Sequence, residues 1–309
     1  MGRYVARRLL QMIPVFIGVT LLVFLMMYAL PGDPVRALYG DQTIDPAQIA
    51  AIKADLGLDL PLWQQYWNYL MGLPQGDFGE QIATGLPVGE VIARALPITA
   101  RLALLAFIII VIVGIGLGMV AGLNAGRWPD TVVLFVTLIF ISVPVFVLGY
   151  IYQYVFSNTL NWTSPLVTDS ENLGELLMPA FVLASLSLAY VARLTRSSVA
   201  ENRRADYMRT AIAKGLPQRR VLSVHLLRNS MIPVVTFLGV DIGTLMAGAV
   251  VTEGIFNING IGSELFTALF RREGSTVVGL VTLIVIIYLA ISLLVDLLYA
   301  VLDPRIRYA

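Results

Sequence analysis

Six stretches of this chain stay apolar for long enough to cross a bilayer, and nothing else in the sequence restricts its fold as strongly. They lie at about 9–30, 99–123, 131–157, 176–195, 231–252 and 277–301. A hydrocarbon core of about 30 Å takes roughly 20 apolar residues at helical rise. Only 13% of the residues are charged, against about a quarter in an ordinary soluble domain. The sequence therefore predicts an all-α polytopic membrane protein with six transmembrane helices.

The first run follows Arg3, Arg7 and Arg8 as a secretory signal would. Its apolar part is too long for an h-region and no cleavage site of the A-x-A kind follows, so it reads as an uncleaved anchor. With the N-terminus inside, the segments 1–8, 124–130, 193–230 and 302–309 hold 15 of the 21 Lys and Arg residues, nine of them in 193–230. That is the bias the positive-inside rule describes. Both termini are accordingly placed in the cytoplasm. The outer side is acidic before the second span, with Asp33, Asp41, Asp45, Asp55, Asp59, Asp77, Glu80 and Glu90.

The region 31–98 is the one sizeable outer piece. Pro31-Gly32-Asp33-Pro34 is expected to stop the first helix, because proline lacks an N–H and disfavours helix in the residue before it. Asp45-Pro46 reads as N-cap and first helical position of a short helix reaching about Leu56. A second helix, 61–72, carries Trp63, Tyr66, Trp67 and Tyr69. Such rings suit either a belt at headgroup level or contact with a solute.

Small residues recur every fourth position at Gly114, Gly118 and Gly122, and again at Gly239, Gly243 and Ala247. Faces of this kind let helices approach closely in lipid, within one subunit or between two. Pro144 is expected to kink the third span or free a carbonyl. Asp241 and Asp296 fall inside spans. An ionised carboxylate there costs about 3 kcal/mol on insertion scales and usually faces a bundle interior or a wet cavity. Asp241 is the better candidate for a pathway residue, whereas Asp296 suits snorkelling or a pair with a base such as Arg7.

Several chemistries are excluded by inventory. There is no cysteine, and His225 is the one histidine, so thiolate chemistry and His/Cys zinc sites are ruled out. Lys53 and Lys214 follow Ile52 and Ala213, whereas a Walker A lysine follows glycine, so the chain has no ATP site of that type. No G-x-S-x-G elbow is present. Hydrolysis would need Asp241 and Asp296 as an intramembrane pair. A self-sufficient channel or ion-coupled carrier using Asp241 is a further alternative.

The basic loop 196–230 is ordered like a docking element. Glu201 to Ala213 reads as a charged amphipathic helix, Gly215-Leu216-Pro217 as its stop, and Gln218 to Asn229 as a helix resuming up to Pro233. Tyr207, Ala211, Ala213 and Leu216 give an apolar side, while Arg209, Lys214, Arg219 and Arg220 project charge. Nine cations serving only topology or anionic lipid would need no such order.

The segment ADYMRTAIAKGLPQRRVLSVHLLRNSMIP, residues 205–233, strongly resembles the EAA loop of ABC importer permeases in its dipeptide and oligopeptide variant. LPGDP at 30–34, GDFGE at 76–80, VTEGIFNINGIG at 251–262 and LDPRIRY at 302–308 resemble the B-type subunit of that family, so the likeness covers nearly the whole chain. Gly215 stands at the glycine of the general loop pattern, Ala211 at its second alanine and Leu227 at its leucine. Arg209 stands in place of the glutamate, Thr210 of the first alanine, His225 of the isoleucine and Arg228 of the proline.

The resemblance implies a single permease domain over 1–309 with the type I importer fold. It also implies an outer loop region of short helices at 31–98 and a cytoplasmic coupling region at 196–230. On that basis Tyr207, Arg209, Ala211, Lys214, Gly215, Leu216, Arg219, Arg220 and His225 would meet a cytoplasmic ATPase subunit. Asp241, Glu253, Asn257 and Asn259 are candidates for the translocation pathway, with Glu253 to Gly262 an outer re-entrant or surface segment or else a simple capping loop. The implied partners are a second homologous permease, two ATPase subunits, an extracytoplasmic peptide-binding protein and membrane lipid, with no nucleic acid. ATP and Mg would belong to the ATPase subunits and no cofactor to this chain, which would be non-catalytic. The implied location is the prokaryotic cytoplasmic membrane. Di- or oligopeptides are the implied cargo; nickel chelates, glutathione or an opine are alternatives.

Overall fold

The computed structural model describes residues 2–28 and 45–302. The expected helix stop at 31–34, Asp33, Asp41 and the motif residues beyond 302 lie outside them. The described residues are almost entirely helical: α1 Gly2–Tyr28, α2 Pro46–Asp55, α3 Leu62–Gly72, α4 Val88–Leu123, α5 Trp128–Ser142, α6 Val145–Thr159, α7 Leu173–Asn202, α8 Asp206–Ala213, α9 at 218–256, α10 Ile261–Phe270 and α11 Gly274–Leu302. Five of these are long and apolar enough to cross a membrane, and six spans result if α5 and α6 form one broken span. The protein is thus a multi-pass, all-α membrane protein.

The chain divides into two compact units, Met1–Thr99 with Asn259–Ala309, and Ala100–Ile258. In the first unit Asp45 caps α2 as expected, its Oδ1 accepting from Ala47 N at 2.9 Å. The aromatic helix α3 separates its rings by face. Trp63 and Trp67 are exposed, Tyr66 bonds the Thr20 hydroxyl of α1 at 2.9 Å, and Tyr69 donates to Thr282 Oγ1 of α11 at 2.7 Å. The tryptophans therefore suit a headgroup belt, and the tyrosines fasten α3 to two spans. Burial pushes the Tyr69 phenol above its ordinary range. The first-turn amide of Ile261 in α10 finds its acceptor in Thr99 Oγ1 at 2.8 Å. Asp296 pairs with Arg8 at 2.5 Å, one residue beyond the Arg7 expected from sequence.

The second unit is organised around α7. Gly114, Gly118 and Gly122 of α4 lie directly on it. A Cβ at Gly122 would stand 2.7 Å from Val199 Cβ and 2.9 Å from the Arg196 carbonyl, and one at Gly114 would stand 3.1 Å from Val191. This first stripe of small residues therefore packs within the chain. Of the second stripe, Gly243 is buried and Gly239 half-buried on α9.

Pro144 does more than kink its span. Helix α5 ends at Ser142, Val143 is extended, and α6 departs at 108°. Two further expectations change. The helix expected from Gln218 up to Pro233 does not end there: α9 rises from Gln218 through a π-helical stretch, Val221–Leu227, and passes Pro233 into the fifth apolar run without ending. Proline in a lipid-embedded helix costs one backbone bond, which packing and local widening tolerate. The basic helix starts at Asp206 rather than Glu201, because α7 continues to Asn202 and turns at 203–205.

Candidate functional site

The loop between α7 and α9 is a helix, a turn and the foot of a second helix. Gly215 supplies the turn at φ +70°, a conformation glycine adopts without the Cβ clash of other residues. Its amide bonds the Ile212 carbonyl at 2.9 Å, and the Leu216 amide bonds the Ala211 carbonyl at 3.3 Å. Pro217 then opens the next helix.

One face of this motif is anchored. Met208, Ala211, Val221 and Leu226 are buried together with Val199 of α7, and Met119, Leu123, Leu216 and Leu222 pack against them. The loop is thereby seated on the ends of α4 and α7. The apolar side expected from composition is partly wrong. Ala211 and Leu216 belong to it, but Tyr207 and Ala213 are exposed, and Met208 occupies the inward position at i–3 from Ala211. Tyr207 instead donates to Asn202 Oδ1 at 2.6 Å.

The opposite face is open. Arg209, Lys214, Arg219 and Arg220 are all exposed; Arg209 lies 3.6 Å from Asp206 on its own helix, and the other three make no ion pair among the described residues. Ile212 is 64% exposed and Val224 45%. An exposed branched aliphatic among cations is a feature the sequence reading missed; as the neighbour of the inward Ala211, Ile212 is turned about 100° away from the anchored face. His225 is half-buried at the base of α9.

Three other arginines of the region are engaged internally. Arg196 clasps Asp130 of α5 with both forks, Nε to Oδ1 at 2.8 Å and Nη2 to Oδ2 at 2.7 Å. Asp130 is buried and accepts a further bond from Gly126 N at 2.8 Å. Arg193 donates to Thr137 Oγ1 at 3.0 Å and to the Leu134 carbonyl at 3.2 Å. Arg203 donates to the Leu123 carbonyl at the end of α4.

The pathway candidates do not form one cluster. Asp241 and Glu253 are both buried on α9 but twelve positions apart, about 18 Å along the axis. Asp241 Oδ1 accepts from Ser187 Oγ at 2.8 Å and Thr244 Oγ1 at 2.9 Å, while its Oδ2 is buried with no hydrogen-bond partner among the described residues. The segment 253–262 is mostly regular. Glu253 to Phe256 remain helical, Asn257 ends α9 at φ 56°, and α10 begins at Ile261. Only 257–260 is irregular, with Asn257 and Asn259 exposed. Asparagine tolerates that left-handed cap position.

A chain of several apolar spans with a structured basic loop seated on its helix ends has the build of a multi-pass transport subunit of the membrane. Two family profiles match the chain: binding-protein-dependent transport system inner membrane component over residues 114–308, and the N-terminal part of such membrane components over residues 1–103. The chain belongs to the family of binding-protein-dependent transport system inner-membrane components. It is 39% identical to the dipeptide transport system permease protein DppB of Escherichia coli (strain K12) over 337 residues, covering 100% of this chain and 99% of that protein. The di/tripeptide transport system permease protein DppB of Pseudomonas aeruginosa (strain UCBPP-PA14) is 39% identical over 331 residues, with 99% and 98% covered. The glutathione transport system permease protein GsiC of Salmonella choleraesuis (strain SC-B67) is 39% identical over 308 residues, with 100% of both chains covered. The protein is therefore an ABC importer permease of the inner membrane.

Proposed function

We propose that this chain is one of two homologous permease subunits that form the translocation pathway of an ATP-driven importer for di- and oligopeptides. Two cytoplasmic ATPase subunits hold ATP and Mg, and an extracytoplasmic binding protein delivers the solute. The observation that carries the reading is the two-sided loop: Met208, Ala211, Val221 and Leu226 fix it to α4 and α7, while Ile212, Lys214, Arg219 and Arg220 face outward. A rigid element with an anchored face and a free, cationic, partly apolar face is suited to sit in a groove of another subunit and pass on its displacement. Nucleotide-driven closure of the ATPases then biases the helices between two states.

The test is reconstitution of the complex with the ATPase subunits and binding protein. Ile212→Glu is expected to release the ATPases from an otherwise assembled permease pair. Arg219→Glu and Gly215→Trp are expected to leave the complex inserted while uptake falls relative to ATP hydrolysis. Uptake by the single chain alone, without ATPases, overturns the reading.

A second cargo is favoured by one observation. The comparison with the E. coli dipeptide permease runs over 337 positions against 309 residues in this chain, so that protein carries insertions; the comparison with the glutathione permease runs over 308, nearly residue for residue. Competition between labelled dialanine and glutathione for uptake decides between them.

A further inference from the structure

We infer that Arg196 and Asp130 are positioning residues of transport, forming a latch that makes α5 move with the foot of α7 and the loop seated on it. The inference rests on the coupling role proposed above for that loop. Three arginines, Arg193, Arg196 and Arg203, lie at spacings of three and seven, which places them along one face of α7 and its end. Each holds a different part of the stretch that runs from the end of α4 into α5. Arg203 takes the Leu123 carbonyl, Arg196 takes Asp130, and Arg193 takes Thr137 and Leu134.

The latch is directional in a way that close packing alone is not. A planar guanidinium facing a carboxylate with two parallel bonds fixes both separation and rotation. Asp130 carries a third bond, from Gly126 in the turn that leads out of α4. Its carboxylate therefore ties together the α4–α5 turn, the first turn of α5 and the side of α7. One turn further along the same side of α7, Val199 lies in the same cluster as Met208 and Ala211 of the loop. A displacement entering at the loop thus reaches α5 through contacts that are all within one unit. Helix α5 ends at the 108° break before α6, so following α7 does not require α6 to turn with it as one continuous helix. All three arginines contribute to the positive-inside count, yet their side chains are spent on neighbouring helices.

The chain has no cysteine, which makes paired spin labels unambiguous in it. Cysteines at Val132 of α5 and Ser197 of α7, both exposed, report the separation of the two helices in the reconstituted complex with its ATPases. With the latch intact the distance distribution is expected to stay narrow and unchanged between the nucleotide-free complex and the complex trapped with Mg-ATP and vanadate. With Asp130→Asn or Arg196→Lys it is expected to broaden and shift on nucleotide addition, while ATP hydrolysis persists. Thr137→Val, which removes one acceptor of Arg193, gives a smaller shift and serves if the Asp130 variant does not assemble. Distributions identical to the unsubstituted protein in both states, for every variant that assembles, overturn the latch. Failure of the ATPases to associate with the unsubstituted chain overturns the coupling role instead, so the two outcomes are distinguishable.

Discussion

The arginines of the basic region fall into two groups that look alike in sequence and behave differently in the fold. Arg193, Arg196 and Arg203 are folded back onto α5 and the end of α4. Arg209, Arg219 and Arg220 lie a few residues further along and project from the surface. The first group has acceptors within reach because α7 lies against α4 on glycine contacts, which bring backbone carbonyls and Asp130 close. The second group sits on a motif whose inward face is already filled by Met208, Ala211 and Leu226, leaving its cations no ion-pair partner among the described residues except Asp206. Position relative to a packed helix, and not residue type, decides whether a cation stabilises the chain or waits for another molecule.

That contrast is open to a graded set of substitutions. The largest effect is expected at the packing beneath the internal group. Gly122→Leu places branched carbon where Val199 Cβ is only 2.7 Å from a bare Cβ, at a cost of more than about 3 kcal/mol, so little folded protein should be recovered from membranes. A normal yield and melting temperature would show that α4 and α7 can part. Next, Arg196→Ala leaves Asp130 buried without its counter-charge. The arginine side chain is 29% exposed, which moderates the loss to about 2 kcal/mol, read as a lowered melting temperature in detergent. Gly215→Ala keeps open space around the new methyl but strains a left-handed turn by about 1 kcal/mol, and hydrogen exchange of the Leu216 amide should rise. Arg219→Glu is expected to leave stability unchanged and to weaken ATPase association, an effect that shrinks with added salt. A melting temperature lowered as much by Arg219→Glu as by Arg196→Ala would erase the distinction between the groups.

Much of this was legible in the residues. The apolar runs located the spans, Asp45-Pro46 marked the start of α2, Pro144 marked the break in the third span, and Gly215 marked the turn of the loop. These are signals in which backbone chemistry acts locally: a missing N–H, a side-chain cap, a positive φ. The inward face of α8 was harder to read, since a helix of eight residues gives barely two turns of periodicity and Tyr207 and Met208 are both plausible anchors by composition. The roles of Arg193 and Arg196 were hidden for a different reason. Counting cations by side treats them as a sum, whereas their partners, Asp130 and the carbonyls of α5, are set by tertiary packing more than 50 positions away in sequence. The start of α9 at Gln218 was legible, but its continuity past Pro233 was not, because apolar length alone cannot see a polar foot continuous with an apolar shaft.

That continuity has a mechanical side. From 218 to 256 the helix forms a rod of about 58 Å at 1.5 Å per residue, with its lower end in the basic loop and the π-helical stretch at 221–227 and Pro233, both near the foot, to absorb flexure. Were it to pivot near the membrane surface, a tilt of about 5° would carry the other end sideways by about 5 Å, close to the spacing of two adjacent extended chains. A small rocking at the foot is thus geometrically sufficient to clear the width of a peptide backbone at the top.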